Sequence, residues 1–177
     1  MLHEASLREF QHYSKISDAQ LIDGTTLTAP VFGHWMTVIL MANAELRVTV
    51  KAFYGGTCGR KLMAFKSKKP AHTVNPRWIS DYMKELLNLT CGAVKRELIA
   101  LDCNVGLSLP LEMRGFDELF AEDRDSSASY SSYLWTIKTE HGPLVFRAEI
   151  EALDTEYVAN LCWAPQPESA DADMEFL

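Results

Sequence analysis

The stretch Lys84–Ala93, KELLNLTCGA, lies in the middle of a long segment with a helical period. At about 100° per residue, apolar and small side chains of this segment gather on one side, and such a stripe predicts a helix packed on a sheet. The residues in the stripe are Ile79, Met83, Leu86, Thr90, Ala93, Val94 and Leu98. The helix is predicted to run from Arg77 to about Leu101, with Asn75 as its N-cap and Pro76 in its first turn.

The opposite side of this helix carries a row of four residues, Asp81, Glu85, Asn88 and Gly92. Residues three or four positions apart are neighbours on a helix surface. Asn is a mediocre helix former, and a mid-helix Gly costs roughly 1 kcal/mol relative to Ala, so the row does not serve folding. A solvated helix face is the ordinary interpretation and stays open. The bare backbone at Gly92 favours a docking surface that presents a carboxylate and an amide.

The segments before the helix predict one or two helical pieces within residues 5–22 and then three strands. HWMTVILMA (34–42) and ELRVTVKAFY (45–54) are rich in β-branched and aromatic residues and predict a hairpin turning at Asn43-Ala44. GGTCG (55–59) predicts the next turn, and RKLMAFKS (60–67) a third strand. The basic run KSKKP that follows is interpreted as a solvated connection.

The segments after the helix predict three more strands. Residues 105–114 alternate as a strand that contains Pro110, and residues 133–153 form a second hairpin around His141-Gly142. The predicted fold class is therefore α+β. A mostly antiparallel sheet of about six strands carries a long central helix and a shorter N-terminal helix.

Length and composition indicate one soluble domain. The chain has 177 residues, of which 47% are hydrophobic, and residues 1–165 are predicted to form a single domain followed by an acidic, flexible tail at 166–177. A net charge of -7 argues against nucleic-acid binding. Neither a membrane-length apolar run nor a signal peptide is recognised, so a cytoplasmic protein without membrane association is expected.

The cysteines and glycines do not predict a metal or cofactor site. Cys58, Cys91, Cys103 and Cys162 form no CxxC pair and have no zinc-ligand spacing with histidine, so they are interpreted as reduced packing residues. GGTCGRK at residues 55–61 lacks the spacing of a phosphate-binding P-loop.

The segment Glu85–Gly92, ELLNLTCG, resembles the ExxN helix of the CheX/CheC group of chemotaxis phosphatases, in which Gly also follows the Asn by four positions. FYGGTCG (53–59) resembles the strand and double-glycine turn upstream of that helix, and VGLSLP (105–110) with Gly115 resembles the strand that follows it. The resemblance covers roughly residues 35 to 152 and is closer to CheX, because only one such helix is recognised. The segment between Gly59 and Glu85 is shorter than in typical CheX proteins, as if one helix were replaced by a loop.

The resemblance implies a CheC-like fold and hydrolysis of the aspartyl-phosphate of a phosphorylated CheY-like response regulator. It implies that Asn88 holds the attacking water, that Glu85 pairs with a lysine of the regulator, and that Asp81 and Gly92 contact that partner. The Mg²⁺ belongs to the regulator, so this chain needs no cofactor of its own. Exposed edge strands would permit a homodimer.

Two alternatives stay open. The domain could be a non-catalytic module that binds a response regulator or a flagellar-switch component. It could also be an unrelated α+β protein whose helix contains ExxN by chance.

The tail provides a first test. Removal of residues 166–177 should leave the melting temperature nearly unchanged, because the segment lacks the apolar period needed to dock on a core. Thermal unfolding of the full-length and shortened proteins measures this directly. A large drop in melting temperature would show that Met174 and Phe176 are packed.

Overall fold

The computed structural model describes residues 1–24, 34–115 and 129–161. Within these ranges the chain forms a seven-stranded sheet, four α-helices and a short 3-10 turn at Ala71–Thr73. The helices are α1 (Leu2–Ser14), α2 (Gly56–Ser67), α3 (Pro76–Ile99) and α4 (Thr155–Ala159). The strands are β1 (Gln20–Asp23), β2 (Trp35–Ala42), β3 (Leu46–Tyr54), β4 (Gly106–Leu107), β5 (Leu111–Arg114), β6 (Tyr130–Thr139) and β7 (Gly142–Ala152).

The sheet is antiparallel throughout the described residues, in the order β1-β6-β7-β3-β2, with β4 and β5 both pairing along the outer edge of β2. The α+β fold class is thereby confirmed, with seven strands in place of about six. Both predicted hairpins are present. In the first, the Asn43 side-chain oxygen accepts hydrogen bonds from the backbone N–H groups of Glu45 and Leu46 at 3.0 and 2.7 Å, which fixes the turn.

Helix α3 lies over β2 and β3, and α1 packs along its side. The Asn75 side chain caps α3 by accepting a hydrogen bond from the Arg77 backbone N–H at 2.9 Å, and Pro76 is the first helical residue, as predicted. Every residue of the predicted apolar stripe is buried. Helix α1 is attached to the sheet by Ser6, whose hydroxyl accepts a hydrogen bond from the Trp135 indole at 2.8 Å.

The predicted turn and third strand at residues 55–67 are wrong, because this segment forms helix α2. Two glycines in the first turn look like a turn signal, since glycine weakens helices. The tertiary structure explains one of them. A Cβ atom on Gly59 would lie 2.5 Å from Cγ2 of Ile79, so only glycine allows α2 to approach α3 this closely. Part of the interval between Gly59 and Glu85, where a loop was expected in place of a helix, is therefore helical.

Two other predictions need correction. Residues 5–22 are not entirely helical: α1 ends at Ser14, and Gln20–Asp23 forms an edge strand paired with β6. The strand predicted at 105–114 is divided into β4 and β5, because Pro110 has no N–H to donate to a ladder.

The predicted domain end and the tail at 166–177 lie outside the described residues. Among the described helices, none is both long and apolar enough to cross a membrane.

The contact between α2 and α3 yields a stability prediction. Gly59→Ala should lower the free energy of unfolding by about 1–3 kcal/mol, because the added methyl group overpacks against Ile79. Gly56→Ala is the matched control: a Cβ there meets no atom within 4 Å, so stability should be unchanged or rise by up to about 1 kcal/mol. Urea denaturation of the two variants measures both values. Equal stabilities would show that α2 is not held at this distance by Gly59.

Candidate partner-docking site on helix α3

The row predicted on α3 reaches the surface. Asp81, Glu85 and Asn88 are exposed and Gly92 is partly exposed, all within an arc of about 60° around the helix axis. The opposite side of the helix is buried, with Leu86 at 0% exposure. The predicted placement of these side chains is thus confirmed.

The polar side chains of the row are not held by hydrogen bonds or ion pairs. Within the described ranges, the Asn88 amide and the carboxylates of Asp81 and Glu85 take part in no hydrogen bond or ion pair. Elsewhere in the same helix, polar groups are satisfied: the buried Thr90 hydroxyl, for example, donates to the Leu86 carbonyl at 2.9 Å. The row therefore presents free donors and acceptors to the solvent.

Gly92 is not required by packing. A Cβ atom at this position would meet only a guanidinium nitrogen of Arg96, at 4.0 Å, which is an ordinary contact. The partly exposed backbone at this position leaves room for close approach of another molecule.

An aromatic and cationic cluster borders the row on one side. The rings of Tyr13 and Tyr82 stack with their centroids 5.1 Å apart, and the Lys66 ammonium lies 2.9 Å from the centroid of Tyr13. Together with Asp81 and Glu85 these residues line a groove of about 570 Å³. A carboxylate therefore projects beside a cation that is fixed by two rings.

The charges in this cluster influence one another. Burial raises the pKa of Tyr13, and the nearby carboxylates of Glu85 and Asp81 raise it further. Partial burial lowers the pKa of Lys66, while the negative charge of Glu85 acts in the opposite direction. Glu85 is thus part of a local electrostatic group as well as of the exposed row.

The surroundings of Cys58 and Cys91 do not favour a nucleophilic role. Burial raises the pKa of Cys58 to about 11 and that of Cys91 to about 12, so both thiols remain protonated at neutral pH. In the described part of the chain, no three His, Cys, Asp or Glu side chains are close enough to hold a metal ion together.

Sequence reasoning missed Tyr13 and Lys66. Because the sequence predicts a strand at residues 60–67, it gives Lys66 no place next to Glu85. The spacing of Cys58, Leu62 and Phe65 was the available helical signal, and the two glycines obscured it.

No protein-family model and no curated protein matches the sequence. Solved structures do match. CheX from Vibrio vulnificus superimposes with a TM-score of 0.65 at 13% identity, covering 85% of this chain and 96% of that one. A CheC-like superfamily protein from Shewanella sp. PV-4 gives a TM-score of 0.64 at 12% identity, with 85% and 95% covered.

Two further matches are a chain from a CheX–CheY complex and the middle domain of FliM. A chain of the CheX–CheY–BeF₃–Mg²⁺ complex from Borrelia burgdorferi gives a TM-score of 0.64 at 9% identity, covering 85% of this chain and 94% of that one. The FliM middle domain from Vibrio alginolyticus gives 0.57 at 10% identity, with 91% and 97% covered. The chain therefore has the fold shared by CheX and CheC-like proteins, which the FliM middle domain also resembles.

Proposed function

We propose that this chain is a phosphatase that stimulates hydrolysis of the aspartyl-phosphate of a CheY-type response regulator. The observation that carries the proposal is the pair Glu85 and Asn88, one turn apart on the exposed side of α3 and without a hydrogen bond or ion pair among the described residues. The likeness to CheX, one example of which was solved together with CheY, supports the choice of partner.

The chemistry requires positioning more than reactive groups. Phosphoryl transfer to water needs a water molecule in line with the leaving oxygen and neutralisation of the charge on the phosphoryl oxygens. The Asn88 amide can both donate and accept, so it can hold a water in one orientation when α3 lies over the phosphorylated aspartate. Positioning of this kind supplies a large part of the rate enhancement in such reactions.

Glu85 serves docking in this proposal. Its carboxylate pairs with a lysine of the regulator and thereby fixes the pose in which Asn88 reaches the phosphate. Gly92 lets the backbone of α3 approach the partner, and Asp81 contacts the partner one turn before Glu85. The Mg²⁺ that neutralises phosphoryl charge is the regulator's own ion.

The second candidate is a module that binds a response regulator or a flagellar-switch component without catalysis. The likeness to the FliM middle domain favours it, because that likeness covers 91% of this chain. The two candidates differ in one measurement. A phosphatase shortens the lifetime of the phosphorylated regulator, whereas a binding module only associates with it.

Substitutions in the row should separate binding from catalysis. Asn88→Ala should leave binding to the regulator near normal and abolish most of the stimulated hydrolysis, because a water-positioning contact acts chiefly in the transition state. Glu85→Ala should weaken both, since its ion pair forms on association. The assay is phosphate release from phosphorylated receiver domains, with affinity measured separately on the beryllofluoride-loaded form.

Both variants should remain within about 1 kcal/mol of the wild-type stability, since the side chains are exposed and unpartnered. Full activity in Asn88→Ala would end the catalytic proposal and leave the binding module.

Gly92 gives an independent test of docking. Gly92→Ala should raise the free energy of unfolding by about 1 kcal/mol, because a Cβ fits there and alanine favours the helix. Gly92→Leu should also fold, but the larger side chain should obstruct the partner and weaken binding. Urea denaturation and affinity for the beryllofluoride-loaded regulator provide the two readouts. Unchanged affinity in Gly92→Leu would place the interface elsewhere.

A further inference from the structure

A second, larger groove of about 950 Å³ lies where α1 and α2 end. We call it the lysine groove, because five lysines line it: Lys15, Lys61, Lys66, Lys68 and Lys69. The side chain of Phe65, 46% exposed, also lines it and contacts the ring of His141 with centroids 5.1 Å apart. The groove thus combines a cationic border with an apolar surface.

The lysines of the groove form no ion pair within the described part of the chain. Among the described residues, no Asp or Glu lines it, and none of the five lysines has a carboxylate oxygen within 4.0 Å. Lys66 lies over Tyr13, and Lys69 lies 4.5 Å from the centroid of the Trp78 ring. In a chain with a net charge of -7, five lysines without an ion pair in one groove are a marked local excess of positive charge.

Stabilisation of helix ends explains only part of this charge. The C-terminus of a helix carries roughly half a negative elementary charge, so the ends of α1 and α2 together offset about one of the five positive charges. Lys15 and Lys68 also occupy left-handed conformations, with φ of 62° and 53°, where glycine or asparagine is favoured. Most of the cationic charge therefore remains available to a ligand.

The lysine groove is continuous with the docking row. Tyr13, Lys66 and Lys69 line both it and the smaller groove beside Asp81 and Glu85. A protein that covers the row on α3 would therefore extend over the lysines as well. The charges on this surface are therefore separated: carboxylates lie on α3, and ammonium groups lie on α2 and just after the ends of α1 and α2.

We propose that the lysine groove binds an acidic polypeptide segment of the regulator that docks on α3, an inference that rests on the proposed function. The exposed Phe65 ring suits a segment that carries an apolar residue among its carboxylates. A long nucleic acid would extend beyond the groove onto a chain whose overall charge is negative. The lysines then increase the association rate and fix the orientation of the partner.

The test compares two pairs of substitutions that remove equal charge. Lys61→Gln with Lys69→Gln removes two cations from the lysine groove. Arg47→Gln with Lys138→Gln removes two exposed cations from strands β3 and β6. Affinity for the beryllofluoride-loaded regulator is measured for each at low and high salt, roughly 50 and 400 mM.

The groove variant should bind about tenfold more weakly at low salt, and the difference should largely vanish at high salt, because exposed charges are screened. The control pair should change affinity less than about twofold. Equal affinities of the two variants would overturn the inference. That result would leave the catalytic proposal intact, since the latter is read from stimulated hydrolysis by the wild type.

A labelled peptide of aspartates and glutamates around one phenylalanine tests the groove without the regulator. It should bind the wild type and the control pair, and lose binding in the groove variant. An oligonucleotide of equal charge serves as the competing probe. Tighter binding of the oligonucleotide, lost in the same variant, would overturn the inference in favour of nucleic acid. If the wild-type protein binds the regulator but does not stimulate hydrolysis, the phosphatase proposal is wrong. The affinity comparison for the lysine groove can still be made in that case.

Discussion

The packing of helix α3 against its neighbours determines which of its residues are exposed to solvent. The sheet covers one side of the helix, and α1 and α2 cover its flanks, so only a narrow strip reaches solvent. With 3.6 residues per turn, that strip admits one residue every three or four positions. In the central turns, between residues 81 and 92, the exposed residues are Asp81, Glu85 and Asn88, and Gly92 is partly exposed. Because the helix is held on three sides, their positions relative to one another are fixed before any partner arrives.

The same packing creates the electrostatic surroundings of the row. Gly59 lets α2 approach α3, and this approach brings Lys66 over Tyr13 and next to Glu85. A bulkier residue at 59 would separate the helices and move the cation away. A contact between two apolar surfaces thus decides the distance between two charges on the outside of the protein.

The sequence predicts those features that depend on local periodicity. Helix α3 and both hairpins follow from clear 3.6- and 2-residue patterns, and the exposed row on α3 follows from the same period. Helix α2 was not predicted, because its two glycines weaken the local signal and only Gly59 is explained by the structure, through its contact with Ile79. Strand β1 could not be predicted either, since its four residues are stabilised by pairing with β6 far along the chain. The lysine groove depends on α2, so it was hidden by the same error.

The attachment of the N-terminal segment has a consequence for the order of folding on the ribosome. Ser6 in α1 bonds to Trp135 in β6, which lies 129 residues later in the chain. At about 5–20 residues per second, synthesis of that interval takes roughly 6 to 26 s. During this time α1 and β1 have emerged without their partner strand. Completion of the sheet edge is therefore a late event, and contacts of such long sequence separation slow folding in general.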